Sequence, residues 1–153
     1  MYTGPTRALV SSWKERGRRD LTQLLVGLVD DTLVAPACDA VTFVPGDRER
    51  GLKRGFEPPR ALASGLAQRW DAPLERILSR SQDGPSERQA ALRGRERRSN
   101  VRGAFVARAH APPRIVLVDD VYTTGSTVAA CATELRRAGA KRVEVVCLAR
   151  AVR

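Results

Sequence analysis

The sequence predicts an α/β fold with a mainly parallel, twisted sheet flanked by helices. Residues 115–118, IVLV, form an uninterrupted apolar run, which is typical of a central strand covered on both faces. A helical segment at 127–138 and a β-branched segment at 142–149 follow, so the three together predict a right-handed βαβ unit. From residue 38 onward the predicted order is strand, helix, three strands, helix and strand, which indicates the α/β class.

The first 35 residues predict a helical N-terminal segment, which precedes an α/β core at 36–153 within a single domain. Helices are expected over 6–16 and 20–34. In the second helix, apolar residues recur at the i, i+3, i+4 spacing of one helix face. These residues are Leu21, Leu24, Leu25, Leu28 and Val29.

The core is predicted to begin with a strand at 38–45 that ends at Pro45. A basic loop with several glycines follows at 46–56. Two adjacent prolines then fit the first turn of a helix that ends near Trp70.

Two short strands are predicted at 74–78 and 103–107. The arginine-rich residues between them, 79–103, have little apolar periodicity. We expect them to form a mobile loop or an irregular small subdomain.

The composition favours an anionic partner. The 153 residues include 27 basic and 17 acidic side chains, for a net charge of +10. Nucleic acid, a polyphosphate ester or a membrane surface would each suit that charge, and a surface simply decorated with arginine is the alternative. No apolar run has the length of a membrane span and no signal pattern opens the chain, so we expect a cytoplasmic protein without a membrane partner. Three dispersed cysteines and a single histidine argue against a zinc site.

The stretch TTGST, directly before a predicted helix, has the character of an anion site. Helix N-terminal N–H groups attract anions. Gly125 allows a tight turn, and four neighbours supply hydroxyl donors: Thr123, Thr124, Ser126 and Thr127. The first helical turn carries no acidic residue, and no Glu or Gln closes a capping box. An ordinary Ser/Thr helix cap is the alternative.

Asp119 and Asp120 precede that loop and narrow the choice of ligand. Carboxylates would repel a bare phosphate, but they suit a ligand that carries hydroxyls close to its phosphate, as ribose 5-phosphate does. A magnesium-binding strand end of a P-loop protein would need a GxxxxGK[ST] loop, which this sequence does not contain. An acidic phosphoacceptor cluster would not explain the threonine-glycine loop.

The run IVLVDDVYTTGST closely resembles the phosphoribosyl pyrophosphate signature of type I phosphoribosyltransferases. The resemblance implies that Asp119 and Asp120 bind the ribose hydroxyls and that residues 123–127 hold the 5-phosphate. Val121 and Tyr122 lie between the acids and the loop, and we include both in the substrate site, although an aromatic ring at this position fits a packing role equally well.

More of the chain resembles the ComF (competence protein F) branch of that superfamily. The matching elements are Val44-Pro45, Arg54-Gly55-Phe56, a series of spaced residues and the start of the chain with Lys14. The series is Gln89, Leu92, Arg97, Asn100, Gly103 and Phe105. Two departures stand out. This sequence does not include the usual N-terminal zinc-binding segment, so it is either a shortened member or its start lies elsewhere, and Glu57-Pro58 replaces the usual Asn-Gln.

The resemblance implies a phosphoribosyltransferase, a pentosyl-group glycosyltransferase that uses 5-phosphoribosyl 1-pyrophosphate (PRPP). The acceptor is an unidentified nitrogen nucleophile. Magnesium is expected to arrive on PRPP rather than on protein ligands, and Lys53, Arg54 and Gly55 are expected to face the pyrophosphate. A non-catalytic PRPP- or nucleotide-binding protein and an accessory protein of DNA uptake are the alternatives. Single-stranded DNA, a protein of the competence machinery and a second copy of the chain stay open as partners.

Overall fold

The fold is a parallel sheet between two layers, seen in a computed structural model that describes residues 4–46, 55–81 and 103–150. Its α-helices are α1 (Gly4–Glu15), α2 (Thr22–Asp30), α3 (Pro58–Arg69) and α4 (Ser126–Arg137), with a short 3-10 helix at Arg19–Leu21. Its strands are β1 (Ala40–Phe43), β2 (Leu78–Arg80), β3 (Phe105–Ala107), β4 (Arg114–Tyr122) and β5 (Arg142–Arg150). None of these helices combines the length and the apolar character that crossing a membrane requires.

The main sheet has the strand order β1-β4-β5, and both pairings are parallel. Residues 73–75 extend along the other edge of β1, where the N–H of Val41 donates to the carbonyl of Pro73 at 2.9 Å. A separate antiparallel pair joins β2 to β3. The β4-α4-β5 unit that the sequence predicts is therefore confirmed.

The central strand β4 is buried on both faces, as its apolar run predicts. Val116 and Val118 pack with α2, α3 and the fully buried Trp13 of α1. Ile115 and Leu117 face the other way and pack with α4 and the β2–β3 pair. The sheet is thus covered by helices on one face and by a helix and a hairpin-like pair on the other.

The predicted second helix, 20–34, is wrong at both ends. It begins with the 3-10 turn and ends at Asp30, where the Thr32 hydroxyl donates to the carbonyl of Val29 at 2.9 Å and closes the last turn. The predicted apolar face is also only half right, because Leu24 and Leu28 are exposed whereas Val26 is buried. The helix is rotated about its axis so that Val26 contacts α3. The spacing of apolar residues along the helix does not encode this tertiary contact.

The predicted strand at 74–78 is shifted. The structure has β2 at Leu78–Arg80, which overlaps the prediction only at Leu78, because its partner is β3. That pairing places Leu78 opposite Ala107 and Arg80 opposite Phe105. Ser79 and Arg80 therefore belong to a strand rather than to the predicted mobile loop. Most of that loop, 82–102, lies outside the described residues.

The contact between Gly65 of α3 and Val26 of α2 generates a stability prediction. A Cβ at Gly65 would collide with Val26 Cγ2 and lie 3.1 Å from Cγ1. We expect Gly65→Ala to lower the free energy of unfolding by about 1–2 kcal/mol, because overpacking outweighs the higher helix propensity of alanine. Urea unfolding measures it.

Gly27 is the matched control, because its Cβ would meet nothing closer than Arg69 Nη2 at 3.7 Å. Gly27→Ala should therefore raise stability by about 0.5–1 kcal/mol. Val26→Ala in the Gly65→Ala background should recover part of the loss, and equal effects of the two glycine substitutions would contradict the packing argument.

Candidate functional site

The candidate site lies at the carboxyl end of β4, where one neighbouring strand has already ended. β1 pairs with β4 only as far as the pair Phe43–Val118, whereas β5 accompanies β4 to its last residue. Asp119 and Asp120 therefore occupy the part of β4 that β1 no longer covers. In parallel α/β sheets, crevices beyond the carboxyl ends of strands are the usual ligand sites.

Asp119 is 8% exposed, and one of its oxygens, Oδ1, accepts the N–H of Asp120 at 2.8 Å. Burial, followed by the negative charge of Asp120, raises the pKa of Asp119 to about 6. The thiols of Cys131 on α4 and Cys147 on β5 lie within electrostatic range, and burial raises the pKa of both, so they are neutral neighbours. Asp119 is thus a carboxylate at neutral pH that accepts a proton readily.

Asp120 is 6% exposed and is held by two contacts. Its Oδ1 accepts the N–H of Val121 at 2.7 Å, and the ammonium group of Lys14 lies 2.6 Å from its Oδ2. Lys14 belongs to α1, so the N-terminal segment reaches directly into this end of the sheet. The ion pair compensates part of the cost of burying a carboxylate.

The two carboxylates leave β4 on opposite faces, because successive side chains alternate along a strand. Asp120 lies on the face that packs with α1–α3 and meets Lys14, whereas Asp119 lies on the α4 face beside Cys131. The two carboxyl groups nevertheless interact with each other, because Asp120 raises the pKa of Asp119 both through its charge and through a side-chain interaction.

The turn that follows β4 leads directly into the N-terminus of α4. Gly125 is the N-cap residue, with φ +74°, and the side-chain contact at the first turn is a long one, from the Ser126 N–H to Thr124 Oγ1 at 3.5 Å. The first turn holds no acidic residue, while the hydroxyls of Thr124 and Ser126 lie 2.7 Å from each other. Main-chain N–H groups, hydroxyl donors and the helix dipole together suit an anion. Thr123 and Thr124 are exposed, and Thr127 is half-buried.

Tyr122 packs against this loop. A Cβ on Gly125 would collide with its ring and hydroxyl, so Gly125 is needed both for its positive φ and for this close approach. The guanidinium carbon of Arg150, on β5, lies 5.6 Å from the centroid of the Tyr122 ring. Tyr122 and Val121 are half-buried, and Tyr122 supports the turn.

The structure describes the basic loop only at Gly46 and from Gly55 onward. Lys53 and Arg54 lie outside the described residues. Gly55 has φ +68°, and its carbonyl accepts a hydrogen bond from Arg19 Nη2 at 2.6 Å. The next residue, Phe56, meets Trp13 edge-on at a centroid distance of 5.9 Å. The N-terminal segment therefore holds the end of the basic loop as well as Asp120.

The sequence did not predict two residues at this end of the sheet, Lys14 and Arg80, as site residues. Lys14 is far from Asp120 along the chain, and no local signal marks their contact. Arg80 was assigned to the mobile loop, but it lies over the Phe105 ring at 5.2 Å and its Nε donates to the Pro45 carbonyl at 3.3 Å, where β1 has just ended. Both contacts form only on folding. Lys14 is one of the residues that resemble the ComF branch, but no sequence pattern indicated its contact with Asp120 or the contacts of Arg80.

Comparison with known proteins agrees with this architecture. A family model of the phosphoribosyl transferase domain matches residues 52–152. The chain is 34% identical to the DNA utilization protein YhgH of Salmonella typhi over 164 residues, which cover 97% of this chain and 69% of that protein. It is 32% identical to Competence protein F of Haemophilus influenzae over 162 residues, which cover 98% and 70% respectively.

Solved structures show the same fold. The allosteric regulatory enzyme of purine biosynthesis superimposes with a TM-score of 0.58 at 24% identity, over 85% of this chain and 26% of that one. Glutamine phosphoribosylpyrophosphate amidotransferase from B. subtilis superimposes with a TM-score of 0.55 at 27% identity, over 86% and 26%.

The sheet order, the acid pair at the end of β4 and the open helix N-terminus define a phosphoribosyltransferase-like α/β domain. The chain belongs to the phosphoribosyl transferase domain family, in the ComF branch that includes Competence protein F and YhgH. The fold class and the family expected from the sequence are both confirmed.

The raised pKa of Asp119 generates a prediction about stability. Because the folded-state value of about 6 exceeds the ordinary 3.8, the folded protein binds this proton more tightly than the unfolded chain does, and stability falls as the pH rises from about 4 to about 6. We expect Asp119→Asn to remove a cost on the order of 2–3 kcal/mol at pH 7.5. The asparagine keeps an oxygen for the Asp120 N–H.

Urea unfolding at pH 7.5 and pH 4 measures this effect, and the advantage of Asp119→Asn should shrink at the lower pH. Asp39→Asn is the control of opposite sign, because Arg114 holds the pKa of Asp39 below its usual range. That variant should lose stability at pH 7.5. An Asp119→Asn protein that is less stable than wild type at pH 7.5 would contradict the argument.

Proposed function

We propose that the chain binds PRPP together with magnesium and transfers the phosphoribosyl group to a nitrogen nucleophile, releasing pyrophosphate. One observation carries the proposal: within residues 119–127, two nearly buried carboxylates precede a helix N-terminus whose N-cap residue is a glycine and whose first turn holds no acidic residue. Membership of the phosphoribosyl transferase domain family supports the same class of reaction.

In this proposal each part of the site binds one part of the sugar phosphate. Asp119 and Asp120 accept hydrogen bonds from the ribose hydroxyls, and Val121 and Tyr122 border the sugar. The 5-phosphate accepts hydrogen bonds from the turn at 123–127 and the first N–H groups of α4. Both carboxylates keep a small exposed fraction, which gives hydroxyl groups access to them.

The pyrophosphate would lie toward the basic loop. Lys53, Arg54 and the main chain of Gly55 would contact it, with the end of the loop held by Arg19. As the bond from C1 to the pyrophosphate oxygen breaks, negative charge builds on the leaving group, and fixed positive charge there stabilises the transition state.

In this proposal magnesium enters the site bound to the substrate rather than to protein ligands. Both Oδ1 atoms of the acid pair accept main-chain N–H groups, and Oδ2 of Asp120 meets Lys14. Magnesium commonly takes most of its protein-site ligands from substrate phosphates and water, and there it would neutralise pyrophosphate charge.

Positioning and electrostatics would account for the chemistry. The acceptor nitrogen attacks C1, the C1–O bond breaks with its electron pair leaving on pyrophosphate, and the proton of the nitrogen passes to solvent. The carboxylates stabilise the positive charge that develops on the ribose ring while they hold its hydroxyls. Asp119 and Asp120 are the catalytic residues of this proposal, and neither acts as a general base.

A second candidate function is a role in DNA uptake or use, with PRPP or a nucleotide bound but not turned over. The names of the relatives, DNA utilization protein and Competence protein F, favour it, as does the net charge of +10. In that case the partners would include single-stranded DNA, a protein of the competence machinery or a second copy of the chain.

Calorimetry with PRPP and magnesium tests the proposed ligand. We expect the double variant Asp119→Asn/Asp120→Asn to bind PRPP at least about 100-fold more weakly than wild type, because each hydrogen bond to a charged group contributes about 1.5–3 kcal/mol. Asp39→Asn at the opposite end of the sheet should bind like wild type. Equal affinities of wild type and the double variant would refute the site.

Turnover and DNA binding separate the two candidate functions. Pyrophosphate release on addition of a nucleobase, an amine or ammonia identifies a transferase and its acceptor. Salt-dependent binding of single-stranded DNA that is indifferent to both aspartates, without pyrophosphate release, favours the accessory role.

A further inference from the structure

We propose that Lys14 is a positioning residue for the acid pair. Its ammonium group orients Asp120 and keeps both acids charged, so that they can accept hydrogen bonds from sugar hydroxyls. The inference rests on the proposed function, because it assigns a residue of the N-terminal segment to the same site. It also gives that segment a task in binding beyond covering the sheet.

The contact itself is the first argument. Lys14 Nζ lies 2.6 Å from Oδ2 of Asp120, a carboxylate that is almost fully buried, while the Lys14 side chain is 31% exposed. A buried carboxylate without a partner is strongly unfavourable, so this ion pair differs from an exposed surface pair. An ammonium group has three N–H donors, and Asp120 uses one of them, so a ligand oxygen can share the same cation.

The second argument is that the backbone of Lys14 is anchored. Its neighbour Trp13 is fully buried, and the Trp13 Nε1–H donates to the Thr22 hydroxyl at 2.9 Å. The Trp13 ring also packs against Phe56, which directly follows Gly55 at the end of the basic loop. A fixed backbone lets a flexible lysine side chain act as an orienting group.

The third argument is electrostatic. Among the described residues, the charged or titratable groups that interact with Asp119 include Asp120 on its own strand, Lys14 from α1, and the neutral thiols of Cys131 and Cys147, and Arg80 of β2 also acts on Cys131. Burial and Asp120 raise the pKa of Asp119, and the charge of Lys14 acts in the opposite direction. Removing Lys14 should therefore move this pKa closer to neutrality.

The test compares wild type with Lys14→Gln in two measurements. Calorimetry with PRPP and magnesium from pH 5.5 to 8.5 should show affinity about tenfold lower at pH 7.5, and an acidic limb moved upward by about half a pH unit or more. Carbon-13 NMR titration of the Asp119 carboxyl in the ligand-free proteins should show the same upward movement.

Two variants serve as controls. Arg69→Gln removes the ion pair between Arg69 of α3 and Asp30 of α2, whose N–O distance is 3.1 Å and which also ties the N-terminal segment to the core. It should lower the Tm without moving either titration. Lys14→Arg retains the charge and should restore the carboxyl titration.

The outcomes distinguish this inference from the proposed function. If Lys14→Gln lowers only the Tm, as Arg69→Gln does, Lys14 is a structural tie and the inference is overturned. If wild type binds no PRPP while the carboxyl titration still follows Lys14, the proposed function fails and the positioning role stands. Should Lys14→Gln not fold, the Nζ resonance of wild-type Lys14 decides: it should shift as Asp119 titrates, and a resonance that does not respond overturns the inference.

Discussion

Two adjacent carboxylates buried at the end of the central strand constrain the rest of this structure. Burying a charge is costly unless it is paired and hydrogen-bonded. Here the main chain supplies an N–H to each acid, and Lys14 supplies the countercharge to Asp120. Asp119 receives less compensation and its pKa rises to about 6. The protein keeps a destabilising group at the place where the proposed ligand needs a hydrogen-bond acceptor, a cost typical of functional sites.

This constraint explains why the N-terminal segment and the core form one unit. Lys14 contacts Asp120, Trp13 packs on Phe56, and Arg19 holds the carbonyl of Gly55. A short segment of the chain thus touches both the acid pair and the end of the basic loop. In the proposed function, these contacts would couple binding of the ribose to the placement of the pyrophosphate loop.

Sequence patterns predicted the fold well where neighbouring residues in the chain indicate a buried strand or the start of a helix. The apolar run of β4 and the proline start of α3 each reflect a local requirement, and both were confirmed. The strand at 74–78 and the ends of the second helix were wrong because they depend on partners. β2 lies where β3 pairs with it, and α2 rolls to bring Val26 against α3. What the sequence predicts for residues 47–54 and 82–102, which include Lys53 and Arg54, stays a prediction, because these residues lie outside the described part of the chain.

The sequence by itself determined the α/β class, the family and the conjunction of acids with an anion-binding turn, because strand, turn and helix N-terminus are contiguous in the chain. Only the tertiary structure decided that β1 ends before the acids and that Lys14 pairs with Asp120. These features depend on the relative lengths and packing of segments distant in sequence. Their electrostatics follow from burial, which no local pattern specifies.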